Sequence, residues 1–351
     1  RRGELDRAEP LLERALAEAP QALATRLNLA HLARARGDLA RARAAFIDIT
    51  EDYPGNRAAL QALSDLSVQA RALPAALRWT GALAAADLAD PAPAFRLAGL
   101  YLMDGRPDDT LALVSQLEKD YPLHRQLVDL KARAYIASGD LTNARRWLAY
   151  LSSVFVAAPD ELAEVAALQL AARDGEGAAT SIDRLAALEP DSVRVDLLRA
   201  RFDLVNGDAA AAAARLAALD RADPGRVAVK ELLMEAAWRQ GDMAEFRRAY
   251  AQAQRLAPRS ARVQGVARRL WQAGDRAGAE ELMREWLEAN PEDVAVRERL
   301  AESLIGLQRP AEAYALYLDL LAAGAELSYV AWNNLARSEE RRVGKECATG
   351  C

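Results

Sequence analysis

Apolar residues recur along this chain three and four positions apart, the spacing that lines one face of a helix. Short polar breaks, many of them glycine followed by aspartate, interrupt these runs. The stretch from Ala30 to Pro54 shows one full cycle. An apolar-periodic run ends at Gly37-Asp38, a second run carries Ala42 and Phe46, and Pro54 stops it. Runs of β-branched residues, which strands favour, are nearly absent. The pattern predicts an all-α protein made of helix pairs.

The cycle repeats from end to end. The turn position falls at Gly3, Gly37, Arg71, Gly105, Gly139, Arg173, Gly207, Gly241, Gly274 and Gln308, at intervals of 34 residues with one of 33. Glycine suits a tight helix–helix turn because it adopts positive φ at least cost. Where it is missing, Pro74 and Pro310 can start the next helix, and Gly175 lies two residues past its slot. Small residues recur five places after the turn (Ala42, Ala144, Ala279, Ala313) and seven places before it (Ala30, Ala98, Ala200, Ala301). Small side chains there allow two helices to approach closely. Thr110 and Phe246 depart from the first rule and Met234 from the second. Prolines at 20, 54, 122, 190, 224, 258 and 291 end the second helices; Pro91 and Pro159 take that part where the slot lacks proline.

These periods predict a lone helix near 5–19 and nine pairs near 22–53, 56–88, 92–121, 125–156, 160–189, 192–222, 226–256, 260–290 and 293–323. A further first helix is expected from Ser328 to Leu335. The connections are short, so neighbouring helices should be antiparallel. One array over residues 1–336 is expected, with a half repeat at each end, both ends being cut inside a repeat, and with no internal domain boundary.

Composition narrows the function more than the fold. The chain is 52% hydrophobic and only 6% aromatic, which fits helices packed through alanine and leucine. Its net charge is −5, with both signs interspersed, and this excludes the basic face that nucleic acid requires. No apolar run approaches the ~20 residues of a membrane-spanning helix. The only cysteines, Cys347 and Cys351, lie far from His31 and His124, so no metal-ligand set forms. Acidic pairs such as Glu280-Glu281 read as exposed helix faces, and no glycine-rich phosphate loop exists. No cofactor is implied, and the chain reads as a non-catalytic binding scaffold.

The phased turns, small positions and terminal prolines resemble the tetratricopeptide repeat family over about residues 1–336. The resemblance implies a right-handed superhelical solenoid of antiparallel helix pairs, with the first helix of each pair lining the concave groove. Positions about 13, 10, 6 and 3 before each turn share one helical face and should look into that groove. They include His31, Asp65, Phe95, Asp129, Glu235, Glu302 and Leu204. Among them, Arg133, Arg194, Arg201, Trp238, Arg268 and Trp271 are the candidate ligand-binding residues. Arginine forks and indole faces suit acidic peptides, extended chains or sugar rings. A protein or peptide partner is expected, or a polysaccharide. Trp79, Trp147 and Trp286 fall on second helices and read as packing residues. The paired lysine and asparagine of carboxylate-clamp repeats are absent from the groove, which argues against a chaperone adaptor.

Three short strings carry a finer resemblance: Leu270-Trp271-Gln-Ala-Gly-Asp275, Trp286-Leu-Glu-Ala-Asn-Pro291 and Trp332-Asn-Asn-Leu-Ala336. They are similar to the large repeat lipoproteins of bacterial exosortase/PEP-CTERM exopolysaccharide systems. That resemblance implies a periplasmic or outer-membrane-anchored protein serving exopolysaccharide assembly or protein sorting. A cytoplasmic peptide-binding adaptor, or the regulatory part of a larger enzyme such as a glycosyltransferase, are the other classes open to such an array. From Arg337 the apolar periodicity stops, and Arg337 to Cys347 resembles a translated sequencing adapter. Residues 337–351 are therefore expected to be a non-native or disordered tail.

Overall fold

The computed structural model describes residues 2–337 and 339, apart from residue 157. Among these the secondary structure is helical throughout, with turns between the helices. A lone helix, α1 (Arg2–Glu18), comes first. It is followed by the pairs α2 (Leu23–Arg36) with α3 (Leu39–Asp52), α4 (Arg57–Gln69) with α5 (Leu73–Ala86), and α6 (Ala92–Met103) with α7 (Pro107–Leu117). Next are α8 (Arg125–Ser138) with α9 (Leu141–Val154), α10 (Pro159–Ala171) with α11 (Gly175–Leu188), and α12 (Val193–Val205) with α13 (Ala209–Ala222). The last pairs are α14 (Val227–Gln240) with α15 (Met243–Leu256), α16 (Ser260–Gln272) with α17 (Arg276–Ala289), and α18 (Val294–Gly306) with α19 (Pro310–Ala322). A further helical stretch runs over 329–337. The remainder of the predicted tail, residues 338 and 340–351, lies outside the described residues.

The chain divides into two compact units, residues 1–216 and 217–351, with the boundary inside α13. In the first, α4 packs on α5 and α10 on α11; in the second, α14 packs on α15 and α18 on α19; and successive first helices touch, as α6 does α8, α10 does α12 and α16 does α18.

The turns obey one rule. From Gly37 to Gln308 every predicted turn position has positive φ, and this includes Arg71 (55°), Arg173 (54°) and Gln308 (61°). Pro310 opens α19 and Pro74 sits in the first turn of α5. They assist these turns without relieving the left-handed residue. Gly175 is helical and opens α11. Gly3 is the exception, because it lies inside α1. The aspartate after the turn usually caps the second helix: Asp38, Asp140, Asp242 and Asp275 each accept the backbone N–H three residues on.

The small positions are the centre of each pair. Ala30, Ala42, Ala98, Ala132, Ala144, Ala166, Ala178 and Ala301 are fully buried. Where a hydroxyl replaces alanine it is satisfied. Ser64 and Thr80 share a buried hydrogen bond of 2.7 Å, and Thr110 donates to the Ala98 carbonyl at 3.0 Å. Phe246 is also fully buried, so the pair α14–α15 is packed by a large ring where its neighbours use methyl groups.

Candidate binding site

Side chains six places before a turn meet those nine or five places before the next turn, on the following first helix. Charge at these places is mostly consumed within the chain. On α6 and α4, Arg96 donates to Asp65 at 2.5 Å. Arg133 of α8 is held by Asp129 at 2.8 Å and by Glu164 of α10. Burial opposes the Arg133 charge, but the two carboxylates outweigh it and raise its pKa. Arg194 of α12 bridges Asp160 at 2.5 Å and Glu189 at 2.6 Å, and these hydrogen bonds raise its pKa as well. Arg201, on the same helix, is exposed and has no hydrogen bond or ion pair.

Not every predicted groove position faces outward. Phe95 and Leu204 are in the core. Phe95 is stacked on the His124 ring at a centroid distance of 4.9 Å. His124 caps α8 through Nδ1, which accepts from the Gln126 N–H at 3.3 Å. His124, Arg125, Asp129 and Glu164 border a depression of about 480 Å³ beside Arg133. Its charged groups are paired with one another or with Glu161.

In residues 217–339 the geometry differs between the two predicted tryptophans. The Trp238 ring packs on Phe246 at 5.2 Å, and the Arg269 guanidinium lies 5.7 Å from its centroid. Arg269 donates to Glu235 at 2.6 Å, and Arg239 to the same carboxylate at 2.9 Å. Burial works against the Glu235 charge, and the two arginines overcome it to lower its pKa. Trp238 is therefore built into an ion-paired wall.

Trp271 instead borders an open depression of about 240 Å³, together with Arg268, Gln272, Arg299, Glu302 and Ser303. Its ring lies against the end of α18 at Gly306, where a Cβ would sit 2.9 Å from the indole edge. The approach requires glycine. Arg276 covers the ring at 5.3 Å. At the rung formed by Arg268 and Arg299, both charged residues are guanidiniums. Arg299 turns to Glu302 of its own helix at 2.8 Å. Arg268 is exposed and has no hydrogen bond or ion pair. The rung thus has a surplus of one positive charge beside a flat aromatic surface, an arrangement suited to a carboxylate and the chain that bears it.

The structure therefore brings Arg268 and Trp271 together and engages Arg133 and Arg194 elsewhere. Sequence reasoning missed Arg299 and Ser303 at this rung, because the places nine and five before the turn were not assigned to the face. It also missed Lys131 and Lys230, which are only 5% and 3% exposed. Lys131 pairs with Glu118 at 2.5 Å and covers Trp147 at 4.3 Å; Lys230 pairs with Asp220 at 2.5 Å. Among the described residues no group of three His, Cys, Asp or Glu could hold a metal ion, and no helix is long and apolar enough to cross a membrane.

A family model described as a tetratricopeptide repeat matches residues 1–66 and 270–335. Each unit thus contains a stretch that this model matches, and the helix pairs between the matched stretches keep the same positive-φ turn. No curated protein sequence matches the chain. Among solved structures it is similar to a tetratricopeptide repeat protein from Parabacteroides merdae, at 17% identity and a TM-score of 0.48, covering 67% of this chain and 93% of that one. It is also similar to YrrB, a repeat protein with an unusual peptide-binding site (15% identity, TM-score 0.43, 52% and 95% covered). A third is the pilF protein of Pseudomonas aeruginosa (19% identity, TM-score 0.43, 60% and 96% covered).

Proposed function

We propose that the chain is a non-catalytic binding scaffold and that the Arg268–Trp271 depression grips an extended acidic peptide of a partner protein. One observation carries this reading. Where Arg96 and Arg133 meet a carboxylate on the adjacent first helix, Arg268 meets Arg299. An incoming carboxylate would take the place that Asp65 and Glu164 hold at their own rungs. The indole of Trp271 supplies rigid apolar area for the neighbouring residue of the peptide at small entropic cost. Arg201, in the first unit and also without a partner, offers a separate place for an acidic group.

The short strings around Trp271, Trp286 and Trp332 support a finer assignment, to exopolysaccharide assembly or protein sorting in the bacterial envelope. On that assignment the protein is periplasmic or anchored at the outer membrane, and a complete reading frame opening with a signal peptide and lipobox cysteine tests it. A polysaccharide is the other ligand that an arginine and an indole could hold.

Binding of short fluorescent Glu-rich, Lys-rich and neutral peptides to the full chain tests the site. The Glu-rich peptide should bind best, and Arg268→Glu should weaken it at least about tenfold. An unchanged affinity of the Glu-rich peptide for the Arg268→Glu variant would refute the acidic-peptide reading.

A further inference from the structure

The second helices of residues 217–339 form a face whose chemistry is opposite to that of the Arg268 rung. Nine places after the turn, several second helices bury a large core residue: Phe46, Leu148, Met283 and Tyr317 are all fully buried there. In α15 the same place belongs to Tyr250, which is only half-buried. The cause is Phe246. It occupies the place of Ala279 and Ala313 in the next two pairs, and with Ala249 and Ala253 it completes the inward face of α15. The core is then full, and Tyr250 is displaced into the crease between α15 and α17.

That crease is an apolar depression of about 410 Å³, bordered by Tyr250, Pro258, Leu282 and Trp286. It continues between the two helices past Ala251 of α15 and Gly278 of α17. Trp286 is fixed from behind, since its Nε1 donates to Asp293 at 2.7 Å. The Tyr250 hydroxyl makes no hydrogen bond within the chain. Burial and the neighbouring Glu285 push its pKa up to about 12, which keeps it a donor at neutral pH.

The rim is acidic. Glu281, Glu285 and Glu288 lie on one stripe of α17, exposed and without ion pairs. Arg255 is the one unpaired cation bordering the crease. The adjacent Glu280, by contrast, is neutralised by Arg309 at 2.8 Å. A row of free carboxylates beside an apolar trough complements a segment that carries both cations and a large apolar side chain.

We propose that the α15–α17 crease is a second docking site, for a basic segment of a partner protein. One aromatic or long aliphatic side chain of that segment seats between Tyr250 and Trp286, and its lysines or arginines meet Glu281, Glu285 and Glu288. The site is independent of the acidic-peptide site and prefers the opposite charge, so one scaffold holds two different partners on its two faces.

The test is fluorescence anisotropy of the full chain with a labelled peptide in which lysines flank a central tryptophan. Two companion peptides replace that tryptophan by alanine or the lysines by glutamate. The lysine–tryptophan peptide should bind, and each companion should bind at least about tenfold more weakly at this site. Glu281→Lys/Glu285→Lys should cost a similar factor without changing the melting temperature, since both residues are exposed. Tyr250→Ala should weaken the same peptide, and the charge variant decides the matter if Tyr250→Ala fails to fold. No binding up to about 1 mM, or binding indifferent to the charge variant or to the central tryptophan, overturns the proposal.

Discussion

Trp238 and Phe246 face each other across the turn at Gly241, with ring centroids 5.2 Å apart and planes tilted by 51°. Phe246 stands where the other second helices carry alanine or threonine, and it is fully buried. Restoring alanine would therefore remove a ring around which the surrounding helices have packed. Phe246→Ala should cost about 3–5 kcal/mol in denaturant unfolding of the second unit. The reverse change, Ala279→Phe, should also destabilise, because that site is closed around a methyl group.

Three of the turns within helix pairs carry a side chain at positive φ. Arg71, Arg173 and Gln308 hold φ values of 55°, 54° and 61°. A left-handed residue with a Cβ costs about 1–2 kcal/mol, which the greater freedom of glycine in the unfolded chain partly offsets. Glycine at each site should raise stability by up to about 1 kcal/mol. Gly139→Ala, at φ 83°, should lower it by a similar amount. Thermal unfolding of the single variants separates the two signs.

Lys131 is buried with one carboxylate and one indole. Removing Glu118 would leave the ammonium without its counter-charge, though water reaches the exposed side of the pair. Glu118→Ala should cost about 1–3 kcal/mol, while Lys131→Met, which removes the charge itself, should stay within about 1 kcal/mol of wild type. Denaturant midpoints of the two variants and their double mutant measure the coupling.

His31 is half-buried, edge-on to Phe46 at 5.0 Å. Burial, and then the nearby Arg34 charge, lower its pKa from 6.5. The unfolded chain therefore takes up this proton more readily than the folded one. Stability should fall as pH drops through and below 6.5, and the His31 contribution should be complete above it. His31→Gln should flatten the stability profile between about pH 5 and 7. An unchanged profile would show that the acid sensitivity arises elsewhere.

The helix pairs and their turns were legible because each depends on residues close in sequence. A glycine every 34 residues marks the turn, and the phase alone assigns positive φ to Arg71, Arg173 and Gln308 as well. The fate of the groove arginines was not legible. Whether Arg133 is free depends on Glu164, 31 residues away, and on which places of adjacent helices meet. Arg268 and Arg299 could have been paired only by someone who already knew that meeting. The displacement of Tyr250 left a trace, since Phe246 broke the small-residue rule, but its consequence needed the packed neighbours.

The acids of α10 reach in both directions. Glu161 and Glu164 take Arg125 and Arg133 of α8, and Asp160 takes Arg194 of α12. The backbone period would tolerate excision of this repeat without loss of phase. The charges would not, because two arginine-bearing helices would then be brought face to face. Repeats that look interchangeable by backbone thus carry addresses in their side chains, and the array is held to a single order.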